Sequence, residues 1–362
     1  MDCKSCGRFW RRNLWKCPEC GANIKGGIVF VTGISGSGVR EVLKKVKQEA
    51  ENHKHKVLLH DIGQIMRSHA HDDDPDVRWE KILDVDEKAL RHLRALAFQD
   101  LTYGIKFNRD ALHLVDLHLS FRWRAYLMKG FEPHIVDKFA PQVRCFINIV
   151  EDLSKIHQRL KDTSWGDRRI LELLIWRDEE LFLADLFANA CGRVSCFAIA
   201  ASEPPSVIEQ IIWHPEKKKV YLSFPITHLK DDHTAQKEIT DFRDRVREFL
   251  IVFDPFATKD YDETYKKQEL GALRKEVGET TEDRDYRFID QADAVVVYYP
   301  AKVPSTGVDA EMNHARRTGK DIYLYSPEDP KGGPFVVPPD YFRSNTQEFI
   351  ELLKEKLAPE RL

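Results

Sequence analysis

Two acidic residues in the last third of the chain, Asp285 and Glu311, are candidates for acid–base and nucleophilic chemistry. Asp285 lies in "DYRFIDQAD", which precedes the apolar run "AVVVYY", and Glu311 follows the turn "PSTG". The turn and the acids after it predict a helix that starts at 305–307, with Glu311 in its first turn. Retaining glycosidases use two carboxyl groups, one to attack the anomeric carbon and one to move the proton. We expect the helix dipole to keep Glu311 ionised, and we expect Asp293, at the start of the strand, to be structural.

A glycine-rich loop near the start of the chain is a second candidate for chemistry. The segment "GISGSGVRE" follows the apolar run "GIVFV" and leads into a helical pattern, which is the setting of a phosphate-binding loop. Gly33 and Gly38 have the Walker A spacing, but Val39 and Arg40 stand where that pattern has Lys and Ser or Thr. Val39 cannot place a charge on a phosphate and Arg40 cannot ligate a cation, whereas the backbone N–H groups can still cradle an anion.

The loop therefore keeps a cradle but lacks the residues for phosphoryl transfer. Three interpretations stay open: nucleotide holding or sensing, a structural relic, and an active kinase. The candidate nucleotide-binding residues are Gly33, Ser35, Gly36, Ser37, Gly38 and Arg40.

Four N-terminal cysteines form two C-x-x-C pairs, each followed by glycine. Such pairs on tight turns make a tetrahedral four-cysteine site that usually holds zinc, and iron in a rubredoxin-like site is the alternative. The predicted metal ligands are Cys3, Cys6, Cys17 and Cys20. We expect a structural zinc ribbon, because four cysteine ligands leave no open position for catalysis. The Arg and Trp residues between the pairs leave contact with protein or nucleic acid open.

The composition is that of a chain able to fold around sizeable cores. The 362 residues are 42% hydrophobic and 32% charged, with a formal net charge of −3. This near-neutral balance gives no global basic field to attract nucleic acid. The N-terminus is polar and cysteine-rich, unlike a signal peptide, and no apolar run approaches the roughly 20 residues of a membrane span. We therefore expect a cytoplasmic protein without membrane contact.

Alternating apolar runs and helical patterns predict two α/β domains after the ribbon. Five runs before residue 214 have the pattern of buried strands: "GIVFVTG", "KVLLHDIG", "ALHLVDLH", "VRCFINIV" and "RVSCFAIA". Helical patterns between them predict a parallel, doubly wound sheet that binds ligands at the carboxyl ends of its strands. A polar, Pro-containing hinge at 214–219 precedes a second, Rossmann-like or flavodoxin-like α/β pattern. The predicted domains are a zinc ribbon (1–25), a P-loop domain resembling nucleoside monophosphate kinases (26–214) and the second α/β domain (219–362).

The middle region resembles archaeal-type adenylate kinases. The match runs through "VTGISGSG" and "HLVDLHLSFRWRAYLMKGFEPHIVDKFAPQVRCFINI", then through "EDLSKIHQRLKD" and the long helical segment after it. The resemblance implies a nucleotide-sized cleft that takes ATP or another nucleotide. It places Asp116 and His118 at the end of the third strand, and Arg168, Arg169 and Arg177 in an Arg-rich lid.

The C-terminal region is similar to the nucleoside 2-deoxyribosyltransferase superfamily, and within it to the 2′-deoxynucleoside 5′-phosphate N-hydrolase branch. That branch carries D-x-x-x-[LI]-x-x-A-D before a strand and P-S-x-G-V-x-x-E at the start of a helix. The matching residues are Asp285, Ile289, Ala292 and Asp293 for the first pattern and Pro304, Ser305, Gly307, Val308 and Glu311 for the second.

The resemblance implies a role for each matched functional residue. Glu311 would be the nucleophile at the sugar C1′, and Asp285 would be the acid/base partner that protonates or orients the leaving base. Ser305, with Gly307 beside it at the helix N-terminus, would bind the 5′-phosphate. A serine at this position favours a monophosphate, because the transferases that act on free nucleosides tend to carry Asp there.

The first loop of the domain departs from the family pattern. The family has a Gly-rich loop that bears Arg and grips the sugar phosphate, whereas this chain reads "SFPITHLKDD". The predicted base pocket uses Phe224 and Ile226, and His228 or Lys230 would supply the missing charge.

These patterns together predict an enzyme that hydrolyses (deoxy)nucleoside 5′-monophosphates to free base and sugar 5-phosphate, joined to a nucleotide-binding domain without kinase activity. Transfer of deoxyribose between bases and cleavage of NAD use the same residues and stay open. Two alternatives do not use these residues for glycosidic chemistry. The protein would then be a nucleoside monophosphate kinase or a catalytically silent nucleotide-binding protein. The expected partners are a nucleotide substrate and a second copy of the chain, since the resembled family is oligomeric and a dimer is its default.

Overall fold

A computed structural model describes residues 26–73, 84–123, 126–132, 138–225, 232–258, 282–301, 303, 305–328 and 338–358. These residues form two compact units. The first ends at Glu209 and the second begins at Gln210, except that Thr258 groups with the first. Among the helices that the structure describes, none combines the length and the apolar character that crossing a bilayer requires.

The first unit is built on a five-stranded parallel sheet. Its strands, including a separate hairpin, are β1 (Gly27–Thr32), β2 (Val57–Asp61), β3 (Leu112–Asp116), β4 (Ser120–Trp123), β5 (Tyr126–Lys129), β6 (Val143–Val150) and β7 (Ser195–Ala200). Its helices are α1 (Val39–Asn52), α2 (Ile62–Asp73), α3 (Glu87–Phe107), α4 (Leu153–Leu160) and α5 (Ile170–Ala190), and α6 (Pro205–Trp213) crosses the division between the units.

The strand order of this sheet is β2-β3-β1-β6-β7, with β4 and β5 paired antiparallel outside it. Because β1 lies between β3 and β6, the glycine loop that follows β1 emerges where the order of connections reverses. At that edge Val31 is in register with Asp116 of β3, and Thr32 is in register with Asn148 of β6. Crevices at such switch points are where open α/β sheets bind ligands.

The second unit is also a five-stranded parallel sheet with helices. Its strands are β8 (Lys219–Ser223), β9 (Ile251–Phe253), β10 (Ala294–Tyr298), β11 (Asp321–Tyr325) and β12 (Tyr341–Arg343). Its helices are α7 (His233–Arg247), α8 (282–290), α9 (Thr306–Arg317) and α10 (Thr346–Leu357).

The strand order of the second sheet runs β9-β8-β10-β11-β12. In chain order this is 2-1-3-4-5, the order of flavodoxin-like sheets, whose switch point lies between the first and third strands. The core below that point includes the stacked rings of Phe242 and Tyr298, whose centroids are 4.1 Å apart. Carboxyl ends of β8 and β10 therefore meet at one edge, where a ligand site is expected.

All five strands predicted before residue 214 are present, as are the helices that contain Glu311 and Asp285. The sequence patterns missed the β4–β5 hairpin, α2, α6 and β12. The hairpin and β12 are strands of only three or four residues, too short for an alternating pattern to be recognised.

Candidate active site

Glu311 lies on α9, the helix that follows the middle strand of the second sheet. It is the sixth residue of α9, so the prediction that it lies in the first helical turn is wrong, and Asp309 is the acid there. Ser305 caps this helix, because its Oγ accepts a hydrogen bond of 3.4 Å from the backbone N–H of Val308. Ser305 is buried, whereas Gly307, in the first turn, is exposed. Ser305 thus organises the helix N-terminus, whose first N–H groups have no partner within a helix and favour an anion.

Two hydroxyl groups of β8 hold the two carboxyl oxygens of Glu311. The phenol of Tyr221 donates to Oε1 at 2.8 Å, and the hydroxyl of Ser223 donates to Oε2. Both residues are fully buried. They lie two positions apart, and so on the same face of the strand. The prediction from sequence missed them, although the alternation in "VYLSF" places two hydroxyl side chains on one face of a strand beside the switch point.

The pKa of Glu311 is shifted in the direction opposite to the one that the helix dipole predicts. Burial is the largest cause that raises the pKa of Glu311 to about 8, and the charge of Asp285 is the next. The donors Ser223 and Tyr221, and the charge of Arg284, lower this pKa but do not compensate. A helix dipole contributes less than the loss of hydration that raises this pKa, so the surroundings of Glu311 favour the neutral acid over the carboxylate.

Asp285 lies on α8 and is paired with its neighbour in sequence. Nε and Nη2 of Arg284 donate to Oδ1 of Asp285 at 3.1 and 2.8 Å. The Arg284 side chain is 7% exposed and that of Asp285 18% exposed. The charge of Asp285 is one of the causes that raise the pKa of Glu311, and Arg284 adds a guanidinium that the sequence patterns did not predict.

An aromatic stack lies beside the two carboxyl groups. The rings of Tyr286 and His314 are parallel, with centroids 4.1 Å apart, and His314 Nε2 is 2.7 Å from Oδ1 of Asp290. Burial, the hydrogen bond to Glu282 and the charge of Glu311 raise the pKa of Tyr286 to about 12. This stack joins α8 to α9, and so helps to hold the two acidic helices together.

The predicted base pocket is only partly within the described residues. Phe224 is buried in the core of the second unit, with its ring centroid 5.6 Å from that of Phe256. Ile226, His228 and Lys230 lie outside the described residues. Their predicted contacts with the base and the phosphate stay predictions.

The glycine loop of the first unit has the conformation of a cradle. Gly36 and Gly38 have φ angles of 86° and 81°, which favour glycine. The backbone N–H of Ser37 donates to Ile34 O at 3.0 Å, and α1 starts directly after Gly38. Ser35 and Ser37 are buried. Gly33, Ser35, Gly36, Ser37 and Gly38 therefore turn the chain tightly from β1 into α1.

Arg40 does not extend freely into this cradle. Its Nη2 forms an ion pair with Oδ2 of Asp61, the last residue of β2. Burial, followed by the charge of Asp61, raises the pKa of Asp116 to about 7, and the charge of Arg40 opposes that rise. The carboxyl ends of β2 and β3 therefore carry two acids that share the neighbourhood of one guanidinium.

Phosphoryl transfer on a P-loop uses a divalent cation held by the Ser or Thr of the loop. The residues of this chain do not fit one. Arg40 replaces that hydroxyl, and its guanidinium is bonded to Asp61, a carboxylate at the same edge. A cation placed there would be repelled by the guanidinium, so the loop lacks both the lysine and the metal ligand of an active kinase.

Two further side chains bind the backbone of the loop. His118 Nδ1 is 2.6 Å from Gly33 O, and burial lowers the pKa of His118. Arg159 donates to Gly36 O at 2.8 Å and to Oε2 of the buried Glu151 at 2.8 Å. His118 thus supports the loop from the β3 side and Arg159 from α4.

Glu180 of α5 is a buried carboxyl group that the prediction from sequence missed. It accepts hydrogen bonds from Leu119 N at 2.7 Å, from Ser120 N at 2.8 Å, and from the hydroxyl groups of Ser120 and Thr32. Burial raises its pKa to about 7. It connects the end of β1, directly before the loop, to the start of the β4–β5 hairpin.

The arginines of the predicted lid take part in packing. Arg168 donates to Glu172 Oε1 and to Arg122 O, both at 3.3 Å, and Arg177 is buried at 2% exposure. Arg169 precedes α5, where Glu172 accepts a bond from its backbone N–H at 2.9 Å. These contacts order the start of α5.

The four N-terminal cysteines lie outside the described residues, so the zinc ribbon stays a prediction. In the part of the chain that the structure describes, no three His, Cys, Asp or Glu residues are grouped so as to hold a metal ion.

About half of the chain is distantly similar to solved kinase structures. Shikimate kinase from Acinetobacter baumannii, in complex with shikimate, is 15% identical over 53% of this chain and 95% of its own, with a TM-score of 0.34. A sugar kinase from Janibacter sp. HTCC2649 is 14% identical over 52% of this chain and 92% of its own, with a TM-score of 0.29. No family model and no curated protein matches the chain. Similarities this distant leave the chemistry to be argued from the residues of the site.

Proposed function

We propose that the second unit is a nucleotide N-glycosidase that hydrolyses (deoxy)nucleoside 5′-monophosphates to free base and sugar 5-phosphate. The observation that carries the proposal is the placement of Glu311, whose two carboxyl oxygens accept bonds from Tyr221 and Ser223 at a sheet switch point. Asp285 lies within electrostatic reach of it. Two coupled carboxyl groups beside a helix N-terminus suit a phosphorylated sugar and a leaving base.

The proposed reaction has two steps. In the first, the Glu311 carboxylate attacks C1′, the C1′–N bond breaks, and the base leaves with a proton from Asp285. In the second, the Asp285 carboxylate takes a proton from water, which attacks C1′ and releases sugar 5-phosphate and the Glu311 carboxylate. The two groups therefore need one shared proton, which is on Asp285 when the reaction starts.

Tyr221 and Ser223 act on Glu311 throughout. Each donates to an oxygen that is negatively charged before attack and after hydrolysis, and so they stabilise the carboxylate in a site where it is poorly hydrated. The helix N-terminus capped by Ser305 is the proposed contact for the 5′-phosphate.

A turnover assay tests the proposal. Purified protein is incubated with each ribo- and deoxynucleoside monophosphate and with NAD, and the products are separated by chromatography beside the variant Glu311→Gln. Free base that disappears in the variant supports the proposal, and exchange with an added second base would identify a transferase instead. No base from any nucleotide would remove the glycosidase.

The first unit is proposed to bind a nucleotide phosphate without transferring it. The Arg40–Asp61 ion pair carries this second proposal, because it occupies the neighbourhood in which a kinase holds its cation. Isothermal titration with ADP and ATP, with and without Mg²⁺, should show binding that Mg²⁺ does not strengthen. ATP-dependent formation of nucleoside diphosphates that persists in Glu311→Gln would show an active kinase instead.

A further inference from the structure

Arg284 is a buried charge placed on one member of the carboxyl pair. Two of its nitrogens donate to a single oxygen, Oδ1 of Asp285, at 3.1 and 2.8 Å. Its guanidinium also lies 6.0 Å from the centroid of the Phe288 ring one turn further along α8. A buried guanidinium is costly unless it is paired with a charge, and Asp285 is a carboxyl group at hydrogen-bond distance.

The donors to Glu311 are of a different kind. Tyr221 and Ser223 are neutral hydroxyl groups, and both are fully buried. A hydrogen bond from an ionised donor is roughly twice as strong as one between neutral groups. Two interacting carboxyl groups do not ionise equally readily, because the charge of the first to ionise raises the pKa of the other. The competition for the single negative charge therefore favours Asp285.

We propose that Arg284 is a positioning residue that holds Asp285 as the charged member of the pair, so that the pair's one proton rests on Glu311 until substrate binds. The direction of the Glu311 pKa is consistent with this arrangement, since burial and then the charge of Asp285 raise that pKa to about 8. Tyr221 and Ser223 on β8 and Arg284 and Asp285 on α8 act on the pKa of Glu311, and Glu311 in turn raises the pKa of Tyr286 on α8 and of Tyr299 after β10.

The consequence for turnover rests on the proposed glycosidase function. A protonated Glu311 is a poor nucleophile, and an ionised Asp285 cannot protonate a leaving base. Transfer of the single proton from Glu311 to Asp285 makes Glu311 a nucleophile and Asp285 an acid in one step. The total number of protons on the pair stays the same. Arg284 thus keeps the free protein in a resting form, in which Glu311 does not attack.

Carbon NMR can locate the proton without any substrate. The full-length protein is labelled at the side-chain carboxyl carbon of Glu in one sample and of Asp in another, and the two resonances are assigned with Glu311→Gln and Asp285→Asn. In the wild type at pH 7 we expect Glu311 at the position of a neutral acid and Asp285 at that of a carboxylate. We expect Glu311 to move to the carboxylate position at a pH near 8.

Variants of Arg284 then test the cause. In Arg284→Met, which keeps a long side chain beside Phe288, we expect the two resonances to exchange positions at pH 7. Arg284→Lys keeps a positive charge and should retain the wild-type pattern. A Glu311 resonance that is unchanged in Arg284→Met, or that is already a carboxylate in the wild type at pH 7, overturns the proposal. If Arg284→Met does not fold, as judged by circular dichroism, Arg284→Gln replaces it, and the wild-type titration still decides whether the proton rests on Glu311.

The same samples separate this inference from the proposed function. If the resonances behave as expected but no nucleotide releases its base, the glycosidase function is wrong and the role of Arg284 stands. If base is released but the resonances are unchanged in Arg284→Met, the glycosidase function stands and the role of Arg284 is wrong.

Discussion

The phenol of Tyr221 and the carboxyl group of Glu311 are joined by a 2.8 Å hydrogen bond, although 90 positions of the chain separate them. The bond joins β8 to the helix after β10, which are neighbours only because the sheet places its first and third strands side by side. It fixes one oxygen of Glu311, while Ser223 fixes the other.

Replacing Tyr221 by Phe should lower kcat for base release about 10- to 100-fold, because a hydrogen bond to a charged group contributes roughly 1.5–3 kcal/mol. The matched control is Tyr298→Phe, a buried tyrosine of β10 whose hydroxyl lies 3.5 Å from Thr346 Oγ1. Steady-state measurement of kcat for base release in both variants tests this prediction. Equal kinetics in the two would mean that the Tyr221 hydroxyl does not act on the reacting carboxylate.

The pH dependence of kcat/KM should show the loss of the pair's single proton. Because the pKa of Glu311 is raised to about 8, the one-proton form of the pair is lost as the pH rises through 8, and kcat/KM should fall there. Ser223→Ala removes a donor that lowers the pKa of Glu311, and so the fall should move to higher pH. An activity that keeps rising above pH 8 would show that Asp285 gives no proton to the base.

The stability of the first unit should fall in acid because of a histidine pair in which His113 is buried and His60 is partly buried. His60 Nε2 lies 2.9 Å from His113 Nδ1, and burial, followed by the charge of His113, lowers the pKa of His60 to about 4. The unfolded chain takes up a proton near pH 6.5 while the folded one does not, so stability is lost as the pH falls from about 6.5 to 4.

The loss from His60 amounts to at most about 3 kcal/mol. Urea unfolding at several pH values should show a smaller dependence on pH in His60→Gln than in the wild type. His69→Gln is the control, because His69 pairs with the half-exposed Asp100. The same pH dependence in all three proteins would contradict the assignment.

Glu180 should be a major stabilising residue of the first unit. Removing it in Glu180→Ala leaves the buried donors Ser120 and Thr32 without their acceptor, which should cost about 3 kcal/mol or more. Its neighbour Glu179, bonded to Arg122 and 25% exposed, is the control, and Glu179→Ala should cost less than about 1 kcal/mol. Thermal melting of both variants measures the difference, and similar losses would count against the role of Glu180.

Much of the fold could be predicted from local patterns. The buried strands are runs of apolar residues, and all eight residues of β6 are buried, so hydrophobicity alone marks them. The glycine loop was placed correctly between β1 and α1 because glycine spacing is a local property. Short pieces such as the β4–β5 hairpin were missed, since three or four residues carry too little periodicity.

The sequence by itself determined that Glu311 would lie on a helix that starts after a buried strand, and that Asp285 would lie on the helix before that strand. It also determined that the glycine loop would lack a lysine and a metal-binding hydroxyl. Only the tertiary structure decided which side chains those residues meet. Tyr221 and Ser223 reach Glu311, and Asp61 reaches Arg40, through the order of strands in each sheet. The charge of Glu311 likewise depends on burial and on Asp285. The physical reason is that desolvation and contacts between distant segments arise only when the sheet is assembled, whereas capping and helix dipoles are already present in the local sequence.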